Sequence, residues 1–125
     1  MPKQKVKTPK PLPALPAPDR LKVLATAIDD VRRGVRESPR TLKLLASGPA
    51  KMAQKVVEEA AEVAIEGAIG NREALINESV DLFYNLSVLW SALGVDPDAV
   101  WAEMDRREAL LGMAEKLPKT TEEDA

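Results

Sequence analysis

The chain has 125 residues, 45% of them hydrophobic but only 3% aromatic, and it carries a formal charge of −2 with neither cysteine nor histidine. That length suits one domain. The missing thiol and imidazole exclude disulfides, thiolate nucleophiles, nitrogen–sulfur zinc sites and histidine acid–base chemistry.

Any metal must therefore be held by oxygen, which favours Mg²⁺, with Mn²⁺ as the second choice. No run approaches the roughly 20 apolar residues that span a bilayer, and the N-terminal end lacks the apolar centre of a signal peptide. A cytoplasmic protein without membrane attachment is expected. Ala, Leu, Glu and Lys dominate and β-branched residues do not alternate, so the expected fold class is all-α.

Residues 1–18 hold six of the ten prolines, interspersed with lysine. Such a segment sustains neither a helix nor a central strand and is expected to be a flexible arm. Its lysines lack aromatic or arginine partners, so no specific nucleic-acid binding is expected. A domain over residues 19–117 and an acidic tail over 118–125 complete the expected organisation.

Within that domain, Leu21, Leu24, Ile28, Val31 and Val35 trace a helical stripe capped by Asp19, with an end expected near Arg36 to Glu37. Ser38-Pro39 predicts a cap and a first-turn proline for a short second helix that stops at Gly48. A long helix is predicted from Pro49 to Ala68, closed by Gly70-Asn71 in a left-handed turn. The next runs from Arg72 to Leu93, with Leu75, Val80, Leu82, Leu86, Leu89 and Leu93 as its apolar positions. Asp96-Pro97-Asp98 opens a last helix that reaches Leu111. The short turn at Gly70 makes the two central helices antiparallel neighbours.

The charge is unevenly spread. Residues 51–100 carry three basic side chains against nine acids. Glu59 and Glu62 lie three apart on one central helix, and so do Glu78 and Asp81 on the other, so each pair points one way. Antiparallel packing brings both pairs to one volume. Four carboxylates there repel one another unless a hard divalent cation joins them. Acids at this spacing usually form a solvated face, but these are embedded among Ala60, Ala61 and Val63 on one helix and Val80, Leu82 and Phe83 on the other.

With these segments in view, the chain resembles the phosphoribosyl-ATP pyrophosphohydrolase family of the all-α NTP pyrophosphohydrolases, which includes MazG-like enzymes. The resemblance runs through Thr41 to Leu45, Gly48 to Lys51, Lys55 to Glu62, Glu78 to Tyr84, Trp101 to Glu103, and Arg106 onward to Lys116. It implies Mg²⁺-dependent cleavage of the α–β phosphoanhydride of phosphoribosyl-ATP, giving phosphoribosyl-AMP and pyrophosphate in histidine biosynthesis. By position, Glu59, Glu62, Glu78 and Asp81 match the metal-binding acids, Glu58 the acid beside them and Lys55 a basic position one turn earlier. Catalytic roles are expected for Glu58, Glu59 and Lys55, with Glu58 as the base that takes a proton from water. Substrate contacts are expected from Lys55, Asn85, Arg106, Arg107 and Lys116.

Three positions depart from the family pattern. Val57 replaces a glycine, Asn85 a histidine, and Ser38-Pro39-Arg40-Thr41 stands where Ser-Tyr-Thr or Ser-Trp-Thr is usual. Two readings compete with this one: a MazG-like hydrolase of free NTPs or dNTPs that uses the same acids, and a non-catalytic helical binding protein descended from the enzyme, suggested by Val57, Asn85 and the basic Pro-rich arm. A plain bundle with four solvated acids is the blandest alternative. Four to five helices over about 100 residues make a thin core, so an antiparallel bundle completed by homodimerisation is expected.

Overall fold

A computed structural model describes residues 18–112, and the side chain of Leu111 lies outside that description. The arm over residues 1–17, Lys116 and the acidic tail also lie outside the described residues. Five helices make up the described chain: α1 (Arg20–Arg32), α2 (Pro39–Ala46), α3 (Pro49–Ile69), α4 (Arg72–Ala92) and α5 (Pro97–Leu111). Among the described residues there is no strand, and no helix is long and apolar enough to cross a membrane.

Asp19 caps α1, its Oδ1 accepting from the amides of Leu21 and Lys22, both at 3.1 Å. Its other oxygen accepts from the Trp101 indole N–H at 2.7 Å. Lys22 in turn donates to Asp96 at 2.7 Å and Asp98 at 2.9 Å. The start of α1 is thereby tied to the start of α5, and both caps lie at one end of the molecule.

The expected extension of α1 to Arg36 is corrected: the helix ends at Arg32. Gly34 adopts a left-handed φ of 75°, and the amides of Val35 and Arg36 both fold back onto the Asp30 carbonyl, at 2.9 and 3.2 Å. A backbone turned this way removes the next residue from the helical stripe. Val35 is consequently 71% exposed instead of joining the apolar face.

Ser38 occupies the N-cap position of α2 but makes no side-chain bond to the helix backbone. Its hydroxyl donates to Thr41 Oγ1 at 3.0 Å, and Thr41 shares a 2.6 Å hydrogen bond with the Tyr84 hydroxyl. This chain of hydroxyls pins α2 to α4. Between α3 and α4, Gly70 takes the expected left-handed φ of 76°, whereas Asn71 is extended at φ −83° and caps α4 by accepting from the Ala74 amide at 3.2 Å.

The buried core is small. Ile28, Met52 and Val88 form its centre, with Leu24, Leu44, Leu45, Tyr84, Leu89 and Ala92 packed around them. It sits where α1 and α2 meet the beginning of α3 and the end of α4. Two of the apolar positions of α4 do not join this core, since Val80 and Leu93 are each 63% exposed. Val80 lies on the side of α4 turned away from its neighbours, and Leu93 sits in the C-cap.

Candidate metal centre

The two-residue turn at Gly70-Asn71 sets the register of the α3–α4 hairpin, so positions equally far from it stand at one level. Glu59 on α3 then faces Asp81 on α4, and Glu62 faces Glu78. One carboxylate oxygen from each of Glu59, Glu78 and Asp81 lies within 4.8 Å of the others. Glu62 adjoins this trio: its contact is the largest cause lifting Glu78 and, after burial, the next largest cause lifting Glu59.

The electrostatics express that crowding. The Glu78 carboxyl is raised from 4.5 to about 7, first by Glu62 beside it and then by burial and the charges of Glu59 and Asp81. Burial, then Glu62 and Asp81, raise Glu59 as well. One Glu59 oxygen, Oε2, is buried without any hydrogen-bond partner. Oxygens around an octahedral Mg²⁺ stand about 3 Å apart when adjacent and about 4 Å apart when opposite. A 4.8 Å span closes onto such an ion with small side-chain rotations, and an all-oxygen, anionic donor set has the right hardness. The residues present therefore fit a hard divalent cation.

Glu58 does not enter this cluster. It sits about 100° around α3 from Glu59, accepting from Gln54 at 2.9 Å and lying 3.4 Å from Lys55. Those two contacts hold its carboxyl below the usual carboxylate range. An exposed, paired and acidified carboxylate is a poor proton acceptor, which weighs against the expected role of Glu58 as the base.

Next to the acids opens a cavity of about 390 Å³ between α2, α3 and α4. Glu59, Lys55 and Asn85 line it. Asn85 is 3% exposed and anchored by its Nδ2, which donates to the Asp81 carbonyl at 2.9 Å, so the residue that stands for the family's histidine is a fixed part of the wall. Arg40, Lys43 and Lys51 line the same cavity. The sequence pattern does not single out these three, and its one local signal is the single-turn spacing of Lys51 and Lys55.

Arg106 and Arg107 are not brought to the acids within the chain. Both sit on α5 and pair with Glu103, at 2.7 and 3.0 Å, which holds the Glu103 carboxyl down at about 2. The spacings of three and four residues account for these pairs locally.

Two antiparallel helices that converge four carboxylates beside a basic cavity define an all-α protein with a candidate divalent-cation site. The particular lineage follows from comparison. The sequence profile of the phosphoribosyl-ATP pyrophosphohydrolase family matches residues 21–108, and the chain belongs to that family. It is similar to phosphoribosyl-ATP pyrophosphatase 2 of Rhodopseudomonas palustris, 62% identical over 81 residues, which cover 65% of this chain and 62% of the relative. The protein of the same name from Bradyrhizobium diazoefficiens is 56% identical over 81 residues, 65% of this chain and 60% of the relative. A longer alignment joins it to phosphoribosyl-ATP pyrophosphatase of Rhodospirillum rubrum, 38% identical over 104 residues, 83% of this chain and 89% of the relative. The chain thus spans about three-fifths of the length of the first two relatives.

Proposed function

We propose that this protein hydrolyses the α–β phosphoanhydride of phosphoribosyl-ATP, yielding phosphoribosyl-AMP and pyrophosphate as a step of histidine biosynthesis in the cytoplasm. The observation that carries the reading is the meeting of Glu59, Glu78 and Asp81 within 4.8 Å, with Glu62 beside them, on helices of a chain from this family.

Glu59, Glu78 and Asp81 would hold Mg²⁺, or Mn²⁺ in its place, with Glu62 beside them outside that trio. When bound, the cation neutralises charge on the phosphate oxygens and on the departing pyrophosphate. The chain's own residues then account for position and proton transfer. Asn85, rigid through its bond to the Asp81 carbonyl, presents its side chain to the cavity beside the anhydride. Lys55 offers its ammonium to phosphate oxygens at the same wall.

Glu62 lies next to the tightest three acids without being one of them, so it is the carboxylate available to accept the proton of the attacking water. As water adds to phosphorus, the bridging P–O bond breaks and its electrons leave on pyrophosphate. The half-buried setting keeps bulk water from solvating the acids fully, which strengthens each of these contacts.

The outward faces of the hairpin favour a homodimer. Val57, Ile65 and Ile69 on α3 are 57–68% exposed, and Ile76, Val80 and Phe83 on α4 are 47–63% exposed. Apolar side chains in this number on one hairpin mark an association surface. Size-exclusion chromatography with light scattering is expected to give twice the chain mass, and a monomer at micromolar concentration would exclude the dimer.

The decisive assay measures pyrophosphate release from phosphoribosyl-ATP and a panel of nucleoside triphosphates, with Mg²⁺ or with EDTA. Turnover is expected on phosphoribosyl-ATP with the metal alone. Asp81→Asn should lower it by about 100-fold or more while the helical circular dichroism is unchanged. Equal turnover in EDTA, or preference for a plain triphosphate, would overturn the assignment.

A further inference from the structure

The basic side of the cavity is more heavily charged than cleavage of one anhydride requires. Arg40 and Lys43 reach it from α2, and Lys51 and Lys55 from the first turns of α3, so four cations face a space of about 390 Å³ whose walls contain one acid, Glu59. Lys55 has Glu58 at 3.4 Å. Arg40, Lys43 and Lys51 have no ion-pair partner within 4 Å among the described residues.

Like charges gathered around one space repel, just as the four carboxylates do next door, and the arrangement becomes favourable when an anion enters. One of the cations is also held in place. The Arg40 guanidinium stacks over the Tyr84 ring, 4.6 Å from its centroid, and the Tyr84 hydroxyl is fixed by Thr41. Preorganisation of this kind lowers the entropy cost of gripping an anion.

The dimensions say which anion. With a rise of about 1.5 Å per residue, Lys55 stands about 6 Å and Lys51 about 12 Å along α3 from Glu59. A phosphate bound at the far cations is thus separated from the acid cluster by about the width of a nucleoside.

We propose that Arg40, Lys43 and Lys51 form a specificity cradle for a phosphomonoester that the substrate carries on a second sugar, apart from its polyphosphate chain. The proposal rests on the reading above only in assigning the anhydride to the acid end. It makes the site bipolar: the carboxylates take the polyphosphate through a cation, and the cradle takes the remote phosphate directly. A plain nucleoside triphosphate leaves the cradle empty, and the substrate with two phosphorylated ends fills both poles.

The test has two arms. In EDTA, calorimetry with ribose 5-phosphate as probe reads the cradle without turnover. Wild-type protein is expected to bind it, and the double variant Arg40→Ala/Lys43→Ala about tenfold or more weakly, as befits loss of charge-assisted contacts. Glu59→Gln is expected to bind no more weakly than wild type. Arg36→Ala, which removes a cation outside the cavity, should change nothing.

In the second arm, with Mg²⁺, Arg40→Ala and Lys43→Ala should each raise KM for phosphoribosyl-ATP by about 10- to 100-fold with little change in kcat. Neither should alter KM for ATP. Equal losses on both substrates would put the polyphosphate in the cradle and overturn the proposal, as would unchanged binding of ribose 5-phosphate by the double variant. The two readings separate cleanly. Turnover of phosphoribosyl-ATP with cradle variants at wild-type KM removes the cradle alone. Cradle-dependent binding of ribose 5-phosphate without turnover removes the reaction and leaves the cradle.

Discussion

Replacing Glu59 by glutamine is expected to make the metal-free protein more stable while destroying its response to metal. A Glu59 oxygen lies within 4.8 Å of an Asp81 oxygen. Two unit charges at that distance repel by about 3.5 kcal/mol at an effective dielectric of about 20. Water reaches these half-buried side chains, and pairs so exposed retain about 1 kcal/mol or less. Glutamine keeps the shape, removes the charge and donates its amide to the neighbouring carboxylates. A gain of about 1 kcal/mol corresponds to a rise in Tm of about 4–8 °C for a domain of this size.

Metal reverses the order. A bound ion at a hundred times its Kd stabilises the wild type by about 2.7 kcal/mol, a rise of roughly 10–20 °C, and the variant gains little. Differential scanning fluorimetry in EDTA and in excess Mn²⁺ reads both effects, and the two melting curves should cross. A variant that melts below wild type in EDTA, or that gains as much from Mn²⁺, would refute the idea that these acids repel one another until a cation arrives.

Glu78 sets a pH dependence. Its carboxyl is raised to about 7 in the folded, metal-free protein against an ordinary value of 4.5, chiefly by Glu62. The folded state therefore keeps the proton longer than the unfolded one. The associated stability is full below about pH 4.5 and is lost as pH rises through about 7. Urea unfolding in EDTA should show that decline, Glu78→Gln should flatten it, and apparent Mn²⁺ affinity should rise over the same interval; a wild-type profile level between pH 5 and 8 would contradict the assignment. Met52→Ala empties a side chain that is 2% exposed in the Ile28–Val88 cluster, at an expected cost of about 2–5 kcal/mol. Its urea midpoint should fall with the m-value unchanged, and a loss below about 1 kcal/mol would mean that the core is elsewhere. Tyr84→Phe removes the 2.6 Å bond to buried Thr41, leaves Ser38 as that hydroxyl's partner, and should cost about 1 kcal/mol in the same measurement; no change would detach α2 from α4 energetically.

Much of this protein is written in short-range pattern. Proline at the first turns, Asp19, Asn71 and Asp96 as caps, and Gly70 as a stop mark all five helix starts and the central turn, because capping depends on neighbours within four residues. The acid register was legible for a related reason: a two-residue turn leaves little freedom in how α3 and α4 align, so Glu59 meets Asp81 and Glu62 meets Glu78. Glu103 with Arg106 and Arg107 was equally readable from spacing, although likeness to a family points those arginines toward substrate.

Other features required the folded chain. The end of α1 before Gly34 is the exception, a local signal that the apolar stripe masked, since the amides of Val35 and Arg36 turn back to the nearby Asp30 carbonyl. Periodicity does not reveal that Val80 stays 63% exposed. Above all, Arg40 and Lys43 arrive at the cavity because hydroxyls of Ser38, Thr41 and Tyr84 join α2 to α4 across 43 residues of sequence. Caps, turns and helix faces follow from interactions within a few residues, whereas the meeting of a basic short helix with an acidic hairpin depends on long-range packing that sequence spacing does not encode.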